Sequence, residues 1–104
     1  MSPEERRRGR AALKAEYGAL YDQVSALLFE HDPMNINFET NTDEYEPEVD
    51  TILPRLAQCG SAVEVRRVVH EELVRWFDAK MAGPETRYDA LAAEIWRAWR
   101  ATRS

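Results

Sequence analysis

Acidic residues and two histidines are the side chains of this 104-residue chain whose types could carry out chemistry. Hard and borderline metal ions prefer carboxylate oxygens and imidazole nitrogens as ligands. The candidate ligands are His31, Asp32, Asp43, Glu48 and His70. Their spacing matches neither a calcium-binding EF-hand loop nor the paired histidines of a zinc-protease helix. We therefore expect no resident metal or other cofactor, and a small metal-dependent enzyme stays the alternative hypothesis.

A cysteine nucleophile is the second chemical possibility. Cys59 lies at a predicted helix boundary, where a helix N-terminus can lower a thiol pKa, and His70 is available as a base. No spacing in the sequence places the two together, and a lone cysteine at such a boundary is typical of a small buried residue. The paired helical carboxylates of all-α pyrophosphohydrolases are also missing. The sequence therefore favours a protein without catalytic residues.

Charge is distributed unevenly along the chain. From Ala15 to Pro54 there are ten carboxylates and no Lys or Arg, whereas the rest of the chain has nine acidic and all fourteen basic residues. The net charge of −5 therefore combines a segment of −10 with a remainder of +5. Such asymmetry bears on association partners and not on fold.

An acidic patch is predicted around the start of the second helix. Its members are Asp32, Asp43, Glu44, Tyr45, Glu46 and Glu48. Opposite charges on two proteins accelerate their association and make it specific. We expect the patch to contact a basic surface on a protein partner, as small acidic immunity proteins and antitoxins do against nucleases.

Composition also bears on other kinds of partner. Three tryptophans are many for this length and leave a homodimer joined through aromatic residues as a further hypothesis. The net negative charge argues against nucleic acid. No apolar run approaches the ~20 residues of a membrane span, which argues against a membrane. A single cysteine and an N-terminus without an apolar signal core predict a cytoplasmic protein.

Four amphipathic stretches predict an all-α fold, a four-helix bundle-like single domain over residues 1–104 whose first ten residues could fray. Helix 1 should end near His31, because Pro33 disfavours helical geometry in the residue before it. A long acidic loop should follow, with Ile36, Phe38 and Tyr45 packed against the helices. Helix 2 should begin between Asp43 and Pro47. Either Asp43 caps it, with Glu46 three residues on, or, as Pro47 favours, Glu46 caps it and Pro47 is its first residue.

Two later boundaries follow from local signals. Pro54 should kink or divide helix 2. Gly60 suits a left-handed helix end, and Ser61 with Glu64 resembles a capping box that opens helix 3. Helix 3 should run to about Met81, and helix 4 should start at Pro84 or soon after it.

The central segment also carries a family resemblance. His31-Asp32-Pro33, an Ile/Phe segment, Asp43-Glu44-Tyr45, Pro47-Glu48-Val49 and Ile52-Leu53 occur in that order. This order resembles a family of small, uncharacterised bacterial proteins with an Asp-Pro turn followed by Asp-Glu-Tyr. The resemblance implies an all-helical fold and no particular activity. The chain departs from the family pattern at Pro54 and in its tryptophan-rich last helix.

Overall fold

The computed structural model describes residues 3–33 and 45–103. Within these ranges the protein has six α-helices and two 3₁₀ helices, and it has no β-strand. The α-helices are α1 (Pro3–Tyr17), α2 (Ala19–His31), α3 (Glu46–Ile52), α4 (Ala62–Trp76), α5 (Ala79–Ala82) and α6 (Asp89–Arg103). The 3₁₀ helices are Leu53–Gln58, which follows α3, and Glu85–Tyr88, which precedes α6. The all-α prediction is confirmed.

Each of the four predicted helices corresponds to a pair of shorter ones. The expected single helix 1 is wrong, because Gly18 adopts φ 56° and ψ −130° and separates α1 from α2. The expected helix 3 is also too long, since α4 ends at Trp76 and the Asp78 side chain caps α5 by accepting a hydrogen bond from the Met81 amide at 2.6 Å. Both differences are local breaks within a predicted helix, and the fold class stays all-α.

Two proline predictions are confirmed. Helix α2 ends at His31, and Asp32 before Pro33 turns the chain with φ 45° and ψ 56°. The backbone N–H of Asp32 still donates to the Leu28 carbonyl at 2.8 Å, which closes the last helical turn. Near Pro54, α3 gives way to the 3₁₀ helix Leu53–Gln58, because proline lacks the N–H and crowds the preceding turn.

The α3–α4 junction matches its prediction in part. The Ser61 hydroxyl caps α4 by accepting a hydrogen bond from the Glu64 amide at 3.3 Å, as predicted. The left-handed conformation expected at Gly60 is wrong, because Gly18 and Gly83 are the glycines with positive φ among the described residues. The 3₁₀ helix Leu53–Gln58 ends instead at Cys59 in extended geometry, with φ −90° and ψ 137°.

One hydrophobic core holds these elements together. Helix α6 packs against both α2 and α4, and α3 packs against α4. The core residues with almost no exposure include Tyr21, Val24, Leu28, Val49, Ile52, Leu56, Val69, Leu73, Tyr88 and Ile95. Tyr45 is also fully buried, as predicted, whereas Ile36 and Phe38 lie outside the described residues. Within residues 3–33 and 45–103, every helix is too short or too polar to span a bilayer.

Candidate functional site

Asp32 and Tyr45 connect the end of α2 to the start of α3. The Tyr45 hydroxyl donates a hydrogen bond to the Asp32 carboxylate at 2.7 Å. Tyr45 itself is fully buried and Asp32 is half-buried. The prediction that Tyr45 belongs to a surface patch is therefore corrected, because its ring fills the core and its hydroxyl is occupied by Asp32.

Glu46 and Glu48 also differ from the exposed acidic patch predicted from the sequence. The Glu46 side chain is 17% exposed and lies 3.4 Å from the Lys14 ammonium and 3.8 Å from Arg10 Nε. Glu48 is only 4% exposed. Both lie on α3, which is covered on one side by α4 and approached on another by α1. Asp43 and Glu44 lie outside the described residues.

A polar network joins α1, α2 and α3. Arg10 Nε donates to Asp50 Oδ2 at 2.9 Å, and the Tyr21 hydroxyl donates to Asp50 Oδ1 at 2.6 Å. Burial of the ring and the hydrogen bond to Asp50 raise the pKa of Tyr21 well above its ordinary value. Tyr21 therefore remains a neutral donor at physiological pH, so the network serves to position helices.

A groove lies beside this network, between α1, α3 and the end of α4. Its volume is about 500 Å³. Its lining residues are Glu5, Gly9, Arg10, Leu13, Pro47, Asp50, Thr51 and Trp76. Trp76 is 43% exposed, and its indole N–H donates to the Thr51 hydroxyl at 3.0 Å. A volume of this size is within the range of ligand pockets.

The helical spacing of Trp76 indicates a place in the core, with exposure of one tryptophan as the alternative, and the structure shows this side chain 43% exposed. The helical spacing of Val69, Leu73 and Trp76 correctly places them on one side of α4. Leu73 is buried because other helices cover it, whereas Trp76 is the last residue of α4 and remains largely uncovered. Helical periodicity shows which side of a helix is buried, but it does not show where along the helix the neighbouring helices stop covering that side. The groove therefore has no clear signal in the sequence.

A smaller pocket of about 230 Å³ adjoins the groove at Thr51 and Trp76. It includes Glu72, whose side chain is 2% exposed and accepts hydrogen bonds from Arg55 at 2.8 Å and from Arg75 at 3.3 Å. The neighbouring Glu71 also binds Arg55, at 2.6 Å. Two carboxylates and two guanidinium groups balance one another here, so this ion cluster around the buried Glu72 lacks net charge for attracting an ion.

The candidate metal ligands are not brought together. His31 Nε2 lies within hydrogen-bond distance of the Glu94 carboxylate on α6, while the His70 Nε2–H donates to the Gly83 carbonyl at 2.8 Å. Asp32 accepts a hydrogen bond from Tyr45, and Glu48 is buried on α3. Asp43 lies outside the described residues. No group of three histidine, cysteine or acidic side chains suited to a metal occurs in the part of the chain that the structure describes.

Cys59 and His70 do not form the pair considered from the sequence. The Cys59 thiol is half-buried and donates to the Arg55 carbonyl, with a sulfur–oxygen distance of 3.6 Å. Burial, followed by the nearby Glu64 charge, raises the pKa of this thiol. A raised pKa lowers the thiolate fraction that a nucleophile needs. The environment suits a structural cysteine.

Other carboxylates of the acidic segment remain at the surface. Glu16, Asp22 and Glu30 are exposed, and none of them has an ion pair within residues 3–33 and 45–103. Asp22 and Glu30 are eight residues apart on α2, so they lie on one side of the helix about 12 Å apart along its axis. The exposed Gln23 and Ala26 lie between them.

Comparison with protein-family models, curated proteins and solved structures found no match. The resemblance to the helical bacterial family with the Asp-Pro and Asp-Glu-Tyr segments therefore stays a prediction.

Proposed function

We propose that this protein is a small protein-binding module without catalytic activity, and that its acidic surface contacts a basic protein. One observation carries the proposal: the exposed carboxylates Glu16, Asp22 and Glu30 have no ion pair among the described residues. They also belong to a segment, Ala15 to Pro54, without any Lys or Arg.

The proposed contact surface differs from the acidic patch predicted from the sequence. Asp32, Glu46 and Asp50 are occupied by Tyr45, Lys14 and Arg10, so their negative charge stabilises the protein itself. The face of α2 that carries Asp22 and Glu30 provides charge that is still available to a partner. Asp43 and Glu44 precede α3 in the chain, and we include them in the proposed contact surface because of their charge alone.

Electrostatic attraction of this kind increases the association rate more than the strength of the final contact. An immunity- or antitoxin-like role against a basic nuclease is the finer form of the proposal, since such a partner would carry the complementary charge. The exposed Gln23 and Ala26 separate Asp22 from Glu30 along α2.

To test this proposal, a protein partner is isolated with the tagged protein at low salt. The rate of association between the protein and the purified partner is then measured. Asp22→Asn with Glu30→Gln should slow association about tenfold at about 50 mM NaCl, and the difference should disappear at about 500 mM NaCl.

Glu4→Gln with Glu64→Gln is the matched control, because it removes two exposed carboxylates that lie outside the acidic segment. It should change association less than about twofold. Equal association of both double variants with the partner would contradict the proposed surface. Self-association of the purified protein that is insensitive to either double variant would support the homodimer hypothesis instead.

A further inference from the structure

Helix α1 is attached to the rest of the protein by little apolar burial. None of its side chains that the structure describes is fully buried, and Leu13 and Tyr17 are half-buried. The Tyr17 ring contacts the Trp99 ring at a centroid distance of 6.5 Å, next to the junction with α2. Because burial of apolar surface is the main source of stability, α1 is held less firmly than the other long helices.

Gly18 provides a pivot at the junction of α1 and α2. Its φ of 56° with ψ of −130° is a conformation that L-residues rarely adopt. The Gly18 amide donates to the Lys14 carbonyl and its carbonyl accepts from the Tyr21 amide. The two helices therefore end and begin at this one residue. A change in its backbone angles alone would turn α1 relative to α2.

Ion pairs hold the middle and the last turn of α1 against α3. Arg10 binds Asp50 at 2.9 Å, and Lys14 lies 3.4 Å from Glu46. The Lys14 ammonium also lies 5.2 Å from the centre of the Tyr21 ring. The Arg10 and Lys14 side chains are 29% and 45% exposed, so salt can screen both pairs.

The groove separates α1 from α3 where apolar packing would otherwise join them. Glu5, Gly9 and Leu13 are spaced by four residues, so they form the side of α1 that faces the groove. Pro47 and Trp76 lie on its other walls. Ion pairs thus bridge a gap of about 500 Å³ that side chains do not fill.

From these four observations we infer that α1 is a hinged arm. It turns at Gly18 and is latched by Arg10 and Lys14 to Asp50 and Glu46. When the latch is released, the arm carries Leu13 away from Pro47 and Trp76 and so opens the groove between them. The remaining helices keep their packing, because none of the described side chains of α1 is fully buried in the core. This inference does not depend on the proposed acidic contact surface on α2.

Electron paramagnetic resonance distances between two spin labels test the arm. The labels are placed at Arg8→Cys in α1 and Arg67→Cys in α4, both at exposed positions, in a Cys59→Ser background. We expect two distances, one for the closed arm latched to α3 and a new one for the released arm. The ratio of the released to the closed population should rise about fivefold in Arg10→Gln, and it should also rise with NaCl concentration. Labels at Arg67→Cys and Arg97→Cys, on α4 and α6, should give one distance under every condition.

Arg66→Gln is the matched control for the latch. Arg66 also binds two carboxylates, Glu85 at 2.9 Å and Asp89 at 2.7 Å, but it does so away from α1. It should leave the distance between the labels at 8 and 67 unchanged. A single distance that responds neither to salt nor to Arg10→Gln would overturn the hinge. A fall in helical circular dichroism that accompanies the new distance would overturn it as well, because α1 would then melt instead of turning.

Discussion

At the scale of single residues, environment gives neighbouring glutamates different roles. Glu71 and Glu72 follow each other on α4 and both bind Arg55, at 2.6 and 2.8 Å. The Glu71 side chain is 47% exposed, whereas that of Glu72 is 2% exposed. Water solvates Glu71 whether or not Arg55 is present. Glu72 depends on its arginine partners, because a buried carboxylate without them would be costly.

This difference predicts unequal effects of the same substitution. Glu72→Gln should lower the free energy of unfolding by about 2 kcal/mol, since it removes charge-assisted hydrogen bonds from a buried group. Glu71→Gln should change it by less than about 1 kcal/mol, as exposed ion pairs contribute little. Urea unfolding at neutral pH measures both. Equal losses in the two variants would show that the burial of Glu72 has no influence on its pairing.

At the scale of elements, two glycines of one predicted helix have opposite consequences. Gly9 lies inside α1, and Gly18 ends it with a positive φ. An added Cβ would meet no atom within 4 Å at either position. Any difference between alanine substitutions at these sites must therefore come from the backbone.

Gly9→Ala should raise the free energy of unfolding by up to about 1 kcal/mol, because alanine favours the helix more than glycine does. Gly18→Ala should lower it by about 1 kcal/mol or more, since alanine is strained at this positive φ. Thermal or urea unfolding of the two single variants checks the prediction. Stabilisation by both changes would mean that α1 and α2 form one continuous helix in solution.

At the scale of the whole molecule, folding neutralises part of the charge asymmetry. Arg10 and Lys14, which precede the acidic segment, reach Asp50 and Glu46 near its far end. The basic and acidic portions of the chain thus meet within the fold. Among the described residues of the acidic segment, Glu16, Asp22 and Glu30 remain exposed without an ion pair.

Alkaline pH should destabilise the whole protein. Burial is the first cause of the raised pKa values of Tyr21, Tyr88 and Cys59. In the unfolded chain these groups ionise near their ordinary values, about 10 for tyrosine and about 8.5 for cysteine. The unfolded state therefore loses protons first, and stability falls as pH rises above about 9. Each group adds up to about 1.4 kcal/mol per pH unit once it is ionised in the unfolded chain.

Urea unfolding between about pH 8 and pH 11 measures this slope. Tyr21→Phe removes one of the responsible groups, so the loss of stability between about pH 10 and pH 11 should be smaller than in the wild type. The slope is the quantity to compare, because the variant also loses the hydrogen bond to Asp50. An unchanged slope would show that Tyr21 ionises equally in the folded and unfolded chains.

The sequence by itself determined the class of the fold and several helix ends. Apolar residues at helical spacing specify which side of each helix is buried, and Pro33, Pro54 and Ser61 act on the backbone within a few residues. Such local signals need no knowledge of the partners across the core. The prediction that Tyr45 is buried also held, because a large aromatic side chain beside a helix start has few other ways to avoid water.

Only the tertiary structure decided which charges remain at the surface. The carboxylates of Asp50 and Glu46 look alike in sequence to those of Asp22 and Glu30, yet α1 folds back to pair with the first two. The Arg10–Asp50 pair joins residues 40 positions apart. Likewise, Trp76 has the helical spacing of a core residue, but it lies at the end of α4, where neighbouring helices cover it incompletely. Pairing and exposure depend on distances across the fold, which helical periodicity does not contain.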